Sequence, residues 1–204
     1  MLARNNYLII VLMWACSVVS FAAPLPRYQV EMILFKRTDF NTADTAQKTT
    51  PFAMPAQHRL LIAQDQANST DQSFVKCRPN QFTLGKEALA LSQQPHLQII
   101  DHFAWQANID ELNQSLPIVI TAGSELQAET KPIPELQGTL RIKKDAFFHI
   151  KTDFALTVAK NASAISSADE LAFYSEHGEY ALLDNELHYF DSEHLGIIMK
   201  ITRL

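Results

Sequence analysis

Between Gly138 and Val158 apolar and polar side chains alternate in two runs, and no other feature constrains the fold of this chain as tightly. Leu140 and Ile142 alternate with Thr139, Arg141 and Lys143. Phe148, Ile150, Phe154, Leu156 and Val158 then alternate with His149, Lys151, Asp153 and Thr157. A period of two marks strands with one buried face. Antiparallel neighbours must set apolar opposite apolar, because a one-residue slip turns every side chain to the wrong face. Pairing Ile142 with Ile150 meets this and leaves Asp145, Ala146 and Phe147 as a three-residue loop. A two-residue loop would set Lys143 against Phe148 and mix both faces. The register places Arg141 opposite Lys151 and Lys143 opposite His149. The result is a hairpin with one apolar face and one basic face.

Other elements follow from shorter patterns. Over 28–35, Tyr28, Val30, Met32 and Leu34 share one face of a strand, with Gln29 and Glu31 on the other. Ile33 and Phe35 make its second half apolar on both faces, as in a strand that ends deep in a sheet. Residues 96–105 form a second strand and 117–121 a short buried one; 171–183, broken near Gly178, and 196–204 supply the last. Thr83 is placed to cap a helix starting at Leu84, with Leu84, Ala88 and Leu91 at helical spacing and Pro95 beyond its end. Trp105 is expected to anchor the sheet beside that helix. Residues 108–114 leave room for one further helical turn. Residues 39–57, 64–80, 123–134 and 161–169 read as polar connections, with some short structure in the first two. One clear helix and a second short one among about seven or eight strands predict an α+β fold with mainly antiparallel β-sheet.

The N-terminus bears on compartment. Arg4, an apolar run from Leu8 to Val19 interrupted only by Ser17, and then Ser20, Phe21 and Ala22 have the order of a secretory signal cut before Ala23. As a helix the run spans about 18 Å, short of a bilayer core of roughly 30 Å, which weighs against a membrane anchor. Cys16 after Ala15 offers another alternative, a lipidated cysteine. Against it, Trp14 is bulky for such a site and the apolar run continues past the cysteine. Residues 1–22 are therefore expected to be a signal peptide and 23–204 a single domain, with no stable membrane span after cleavage.

Cleavage would leave Cys77 as the only cysteine, so no internal disulfide can form. Export without a disulfide, in a chain of this size, points to a bacterial periplasm. The chain holds 17 Lys+Arg against 22 Asp+Glu, a formal net charge of −5. That balance does not favour nucleic acid or anionic membrane surfaces as partners. Asn68, Asn113 and Asn161 open glycosylation-type triplets, which polar chains also produce by chance.

Catalytic motifs are thin. Ser73 and Lys76 fit the Ser-x-x-Lys pattern of acyl-serine enzymes, but the Ser-x-Asn and Lys-Thr-Gly elements are missing. Cys77 lies between Lys76 and Arg78, which would depress its pKa, yet no histidine adjoins it. An incidental thiol at a loop edge is the plainer reading. Asp101 with His102, and Glu186, His188, Asp191, Glu193 and His194, collect metal-ligand types without His-Glu-x-x-His or paired-cysteine spacing. A hydrogen-bonded structural cluster accounts for them as well, and neither a metal nor a cofactor is expected. The basic hairpin face has more physical content. Like charges opposed across strands are unfavourable by roughly half a kcal/mol. Arg141, Lys143, His149 and Lys151 therefore need acidic neighbours, water or an anionic ligand.

Several pieces, in order, resemble the CsiV-type peptidoglycan-binding proteins of Gram-negative bacteria. They are Tyr28-Gln-Val-Glu-Met-Ile-Leu-Phe35, Leu84-Gly-Lys-Glu-Ala-Leu-Ala-Leu91, residues 95–106 with their Ala-Trp-Gln ending, Leu136-Gln-Gly-Thr-Leu-Arg141 and Phe148-His149. Glu186-Leu-His-Tyr-Phe-Asp191, the most specific, is followed by Leu195-Gly-Ile-Ile198 and Lys200-Ile-Thr202. The family tends to carry an arginine-rich stretch before Glu-Leu-His-Tyr and a His-Pro after the aspartate. Here Tyr180-Ala-Leu-Leu183 and Ser192-Glu193 stand instead.

The resemblance implies a non-catalytic periplasmic factor that binds the cell wall. Such a factor assists an outer-membrane lipoprotein activator of a bifunctional penicillin-binding synthase. A peptidoglycan surface would join the hairpin face, Arg141, Lys143, His149 and Lys151, to the strand end carrying Glu186, His188 and Tyr189. The cations would pair with stem-peptide carboxylates and Tyr189 would cover a sugar face. Two other classes stay open: a periplasmic module that binds another protein through a sheet edge or polar loops, and a hydrolase or metalloenzyme.

Overall fold

The structure is a computed structural model that describes residues 25–39, 52–63, 74–114, 116–127, 131–159 and 171–204. The expected signal peptide, its cut before Ala23, Ser73, Asn68, Asn161 and the connection 161–169 lie outside the described residues. In chain order the elements are β1 (Arg27–Arg37), β2 (Arg59–Ile62), β3 (Phe74–Val75), α1 (Gly85–Ser92), β4 (Leu97–Asn108) and α2 (Ile109–Asn113). β5 (Ile118–Leu126), β6 (Ile133–Lys144), β7 (Phe148–Ala159), β8 (Leu171–Leu182), β9 (Leu187–Asp191) and β10 (Leu195–Arg203) follow. The α+β, mainly antiparallel architecture expected from the sequence is the one observed. No helix among the described residues is long and apolar enough to cross a membrane.

One sheet has the order β4-β1-β10-β9 and the other β3-β2-β5-β6-β7-β8. Pairing is antiparallel except where β2 joins β3 and β5. The hairpin has the register read from its alternation. Ile142 pairs with Ile150, Arg141 with Lys151 and Lys143 with His149. Asp145 closes the loop, its amide donating to the Phe147 carbonyl at 3.0 Å and its carboxylate accepting the Phe147 amide at 2.9 Å.

β1 lies between β4 and β10, and both faces of its second half are covered, one by the other sheet and one by α1. Tyr28, Val30, Met32 and Leu34 enter the core between the sheets, with Leu140, Ile150, Phe154 and Leu156 from the other side. Tyr28 meets Phe148 edge-on with ring centroids 5.1 Å apart. Ile33 and Phe35 turn the other way and pack with Leu84, Leu91 and Ile198 under α1. The sheets join at one margin, where Lys76 bridges to Trp105 and the Cys77 amide donates to the Ala104 carbonyl at 2.6 Å. An ion pair of 2.5 Å between Lys36 of β1 and Glu135 of β6 ties them again.

Four expectations are corrected. The described residues hold ten strands: β2, β3 and β9, of four, two and five residues, are added to those read by range, and the first two are too short to show a period. Thr83 does not cap α1. Its hydroxyl donates to Glu31 Oε2 at 2.8 Å, and the Glu31 carboxylate accepts the Thr83 and Leu84 amides. A buried carboxylate is a stronger acceptor than a hydroxyl. β8 runs unbroken through Gly178, where the Tyr180 ring occupies the space a Cβ would need. Much of 123–134 is strand rather than loop. Gly123, at φ +78°, sits in a register shift between Ala122 and Glu125, so β5 bulges there and continues.

Candidate functional site

Strand alternation puts Arg141, Lys143, His149 and Lys151 on the outer face of the six-stranded sheet, all exposed. With Ile150, Glu179, Tyr180 and Ala181 they line an open groove of about 550 Å³. The neighbouring strand answers part of the like-charge problem. Glu179 stands opposite Lys151 in the register and pairs with it at 2.5 Å. The hydrogen bond and charge of Lys151 hold the Glu179 carboxyl below its ordinary pKa. His149 lies 3.0 Å from the Asp145 carboxylate, whose pKa is lowered first by the Phe147 amide and then by His149. At the hairpin end Lys144 pairs with Asp184 at 2.5 Å. Lys143 makes no ion pair among the described residues.

The strand-end residues lie elsewhere. Glu186 is exposed just before β9. His188 and Phe190 share the face that meets the other sheet, their rings stacked 6.3 Å apart, and Phe190 stacks on Tyr180 at 3.8 Å. Tyr189 points the opposite way, as successive strand residues must. It stacks on Phe35 on the outer face of the four-stranded sheet, with centroids 6.0 Å apart and an interplanar angle of 21°. Asp191, on the same face, pairs with Arg37 at 2.5 Å. Asp191 keeps the Arg37 pKa up, by hydrogen bond and then charge. Burial, then the charge and hydrogen bond of Asp191, push the Tyr189 phenol up.

Six of the seven residues expected to form one surface thus fall on three, and Glu186 is exposed just before β9. The hairpin cations face out from one sheet, Tyr189 faces out from the other, and His188 points between them. Tyr180 is the closest link, bordering the groove and stacking on Phe190. Sequence reading missed Glu179, Tyr180, Phe35 and Arg37. Glu179 was findable by extending the hairpin register one strand further. Tyr180 follows from the same register, opposite Ile150, whereas Phe35 and Arg37 depend on pairings between distant parts of the chain.

The remaining chemical candidates are engaged separately. Asp101 pairs with Lys76 at 3.0 Å, and His102 with Glu31 at 2.9 Å. His194 lies 3.3 Å from Glu176 and stacks on Tyr174 at 4.0 Å. No group of three or more His, Cys, Asp or Glu placed to hold an ion occurs among the described residues. Cys77 departs from expectation: burial raises its pKa, Arg27 lowers it by less, and Glu31 raises it further. The Lys76 ammonium is drawn instead to Asp101 and to the Phe103 ring, 4.8 Å from its centroid.

The family model of CsiV, a peptidoglycan-binding protein, matches residues 7–204. The chain belongs to the CsiV family. The match extends over both sheets and both helices, so the resemblance carried by short pieces holds over nearly the whole sequence. No curated protein and no solved structure matches the chain. In this CsiV-family chain, the basic groove and the Tyr189 face present polar or aromatic groups to solvent on opposite sides of the core.

Proposed function

We propose that the chain is an exported, non-catalytic periplasmic protein that binds peptidoglycan and supports cell-wall synthesis. It acts through an outer-membrane lipoprotein activator of a penicillin-binding synthase. The observation that carries the binding function is the family match over residues 7–204. The signal-like order before Ala23 supports export. N-terminal sequencing of the protein recovered from cells should begin at Ala23; an intact Met1 or a lipid on Cys16 would overturn the export route.

The groove between β6, β7 and β8 supports a role for the stem peptides, which carry free carboxylates. Arg141, Lys143 and Lys151 line it and offer charge-assisted hydrogen bonds to such groups. These groups are exposed, so their attraction is screened over about 10 Å at 0.1 M salt. Retention on purified sacculi should fall as ionic strength rises. An Arg141→Ala/Lys143→Ala/Lys151→Ala variant should lose about tenfold in retention, equivalent to about 1.4 kcal/mol, with an unchanged circular dichroism spectrum. A folded triple variant that binds like the wild type would leave this face an ordinary solvated one. Capture of the purified lipoprotein activator tests the second half of the reading.

A further inference from the structure

The outer face of β9 carries an aromatic surface that the groove does not use. Tyr189 is 54% exposed, yet its ring is seated on another aromatic ring. Phe35 lies beneath it at 6.0 Å, and Phe35 reaches that far because Gly196, between the two strands in the register, has no side chain to obstruct its ring. Asp191, two residues along on the same face, accepts from Arg37 at 2.5 Å. Leu187, half exposed, lies two residues back on the same face, about 7 Å along the strand. The surface therefore combines a flat ring, an apolar extension and a fixed donor–acceptor pair at its edge. α1 covers the neighbouring Ile33 and Phe35 but leaves Tyr189 at the open margin.

We propose that this surface is a glycan platform, on which Tyr189 takes the face of a hexosamine ring while Arg37 and Asp191 meet its polar substituents. The C–H groups of a pyranose face are complementary to the electron-rich face of an aromatic ring. The ring edge bears hydroxyl and N-acetyl groups that need both donors and acceptors, which an arginine–carboxylate pair supplies. A ring already seated loses little conformational freedom on binding. The platform rests on the peptidoglycan-binding reading above. It assigns the sugar backbone to the four-stranded sheet and leaves the carboxylates to the groove on the other.

The test compares intact sacculi with soluble glycan strands stripped of peptide by an amidase, using the purified protein. The wild type should bind both. Tyr189→Ala should weaken binding to stripped strands by about tenfold or more, the size typical of a lost aromatic anchor. Tyr189→Phe should stay within about threefold of wild type. Tyr189→Leu keeps an apolar contact with Phe35 without the flat ring, and should fail as Tyr189→Ala does; it serves if the alanine variant does not fold. The groove triple variant should still bind stripped strands. A wild type that binds sacculi but ignores stripped strands overturns the platform and leaves the peptidoglycan reading intact. So does a Tyr189→Leu variant with unchanged binding, which would also be the outcome if a protein partner covers this face. A wild type that binds neither overturns both.

Discussion

Replacing Trp105 with alanine should destabilise the fold by about 3–5 kcal/mol, the range for a large aromatic removed from a close-packed core. The side chain is fully buried between the sheets, its ring 6.3 Å from Phe74 and 6.1 Å from Phe103. Its backbone bridges to Lys76 at the margin where the two sheets join. The position differs from the one expected, beside α1. Phe103, Trp105 and Ala107 enter the intersheet core, while Leu97 and Ile99 of the same strand pack under the helix. A cavity at the joint would therefore loosen both sheets. Domains of this kind have about 5–15 kcal/mol of stability in total, so the loss threatens folding. Trp105→Phe should be far milder, about 1 kcal/mol, because the buried indole N–H has no hydrogen-bond partner among the described residues and its removal leaves nothing unpaired. Urea melts decide the matter. A loss below about 1 kcal/mol for the alanine variant would contradict the burial of the ring.

What the sequence made legible was local or periodic. The hairpin register followed from two alternating runs, since only one alignment keeps Ile142 and Ile150 on the same face as Leu140 and Phe148. The double burial of β1 was readable because Ile33 and Phe35 break its alternation on the apolar side. α2 was found from its length alone. The failures have different causes: β2 and β3 are too short to show a period, and elsewhere the deciding group is not part of the local pattern. Glu31 serves α1 across 52 residues, and a local pattern can only offer Thr83 for that place. Gly178 looked like a break because the ring it accommodates, Tyr180, becomes fixed only when Phe190 stacks on it. The candidate site shows the same division. Its basic face was visible within one hairpin. The Tyr189 face required knowing that β1 and β9 flank β10, a pairing that brings Phe35 and Arg37 from the opposite end of the chain.

Removing the Glu31 carboxylate should cost about 3 kcal/mol near neutral pH, and the loss should fade in acid. The residue is 1% exposed. It accepts from the Thr83 amide at 2.8 Å, the Leu84 amide at 2.9 Å and the Thr83 hydroxyl at 2.8 Å. His102 Nε2, at 2.9 Å, must donate as well, because an ionised carboxylate can only accept. Burial alone would raise the Glu31 pKa. The bonds from His102, Thr83 and Leu84 outweigh it and lower the value from an ordinary 4.5 to about 2. The folded chain therefore holds the anion more tightly than the unfolded chain does. This stabilisation is complete above about pH 4.5 and is lost as pH falls from there through about 2. In Glu31→Gln the amide cannot satisfy four donors, and its own NH₂ is set against two backbone N–H groups. The stability gap between wild type and Glu31→Gln should be widest at pH 6–7 and should narrow steadily towards pH 2 in parallel denaturant melts. Hydrogen exchange should quicken first at the Thr83 and Leu84 amides, since these lose their acceptor directly. A gap that stayed constant from pH 7 to pH 2 would mean that Glu31 does not hold the α1 terminus as an anion, and that the buried carboxyl is neutral throughout.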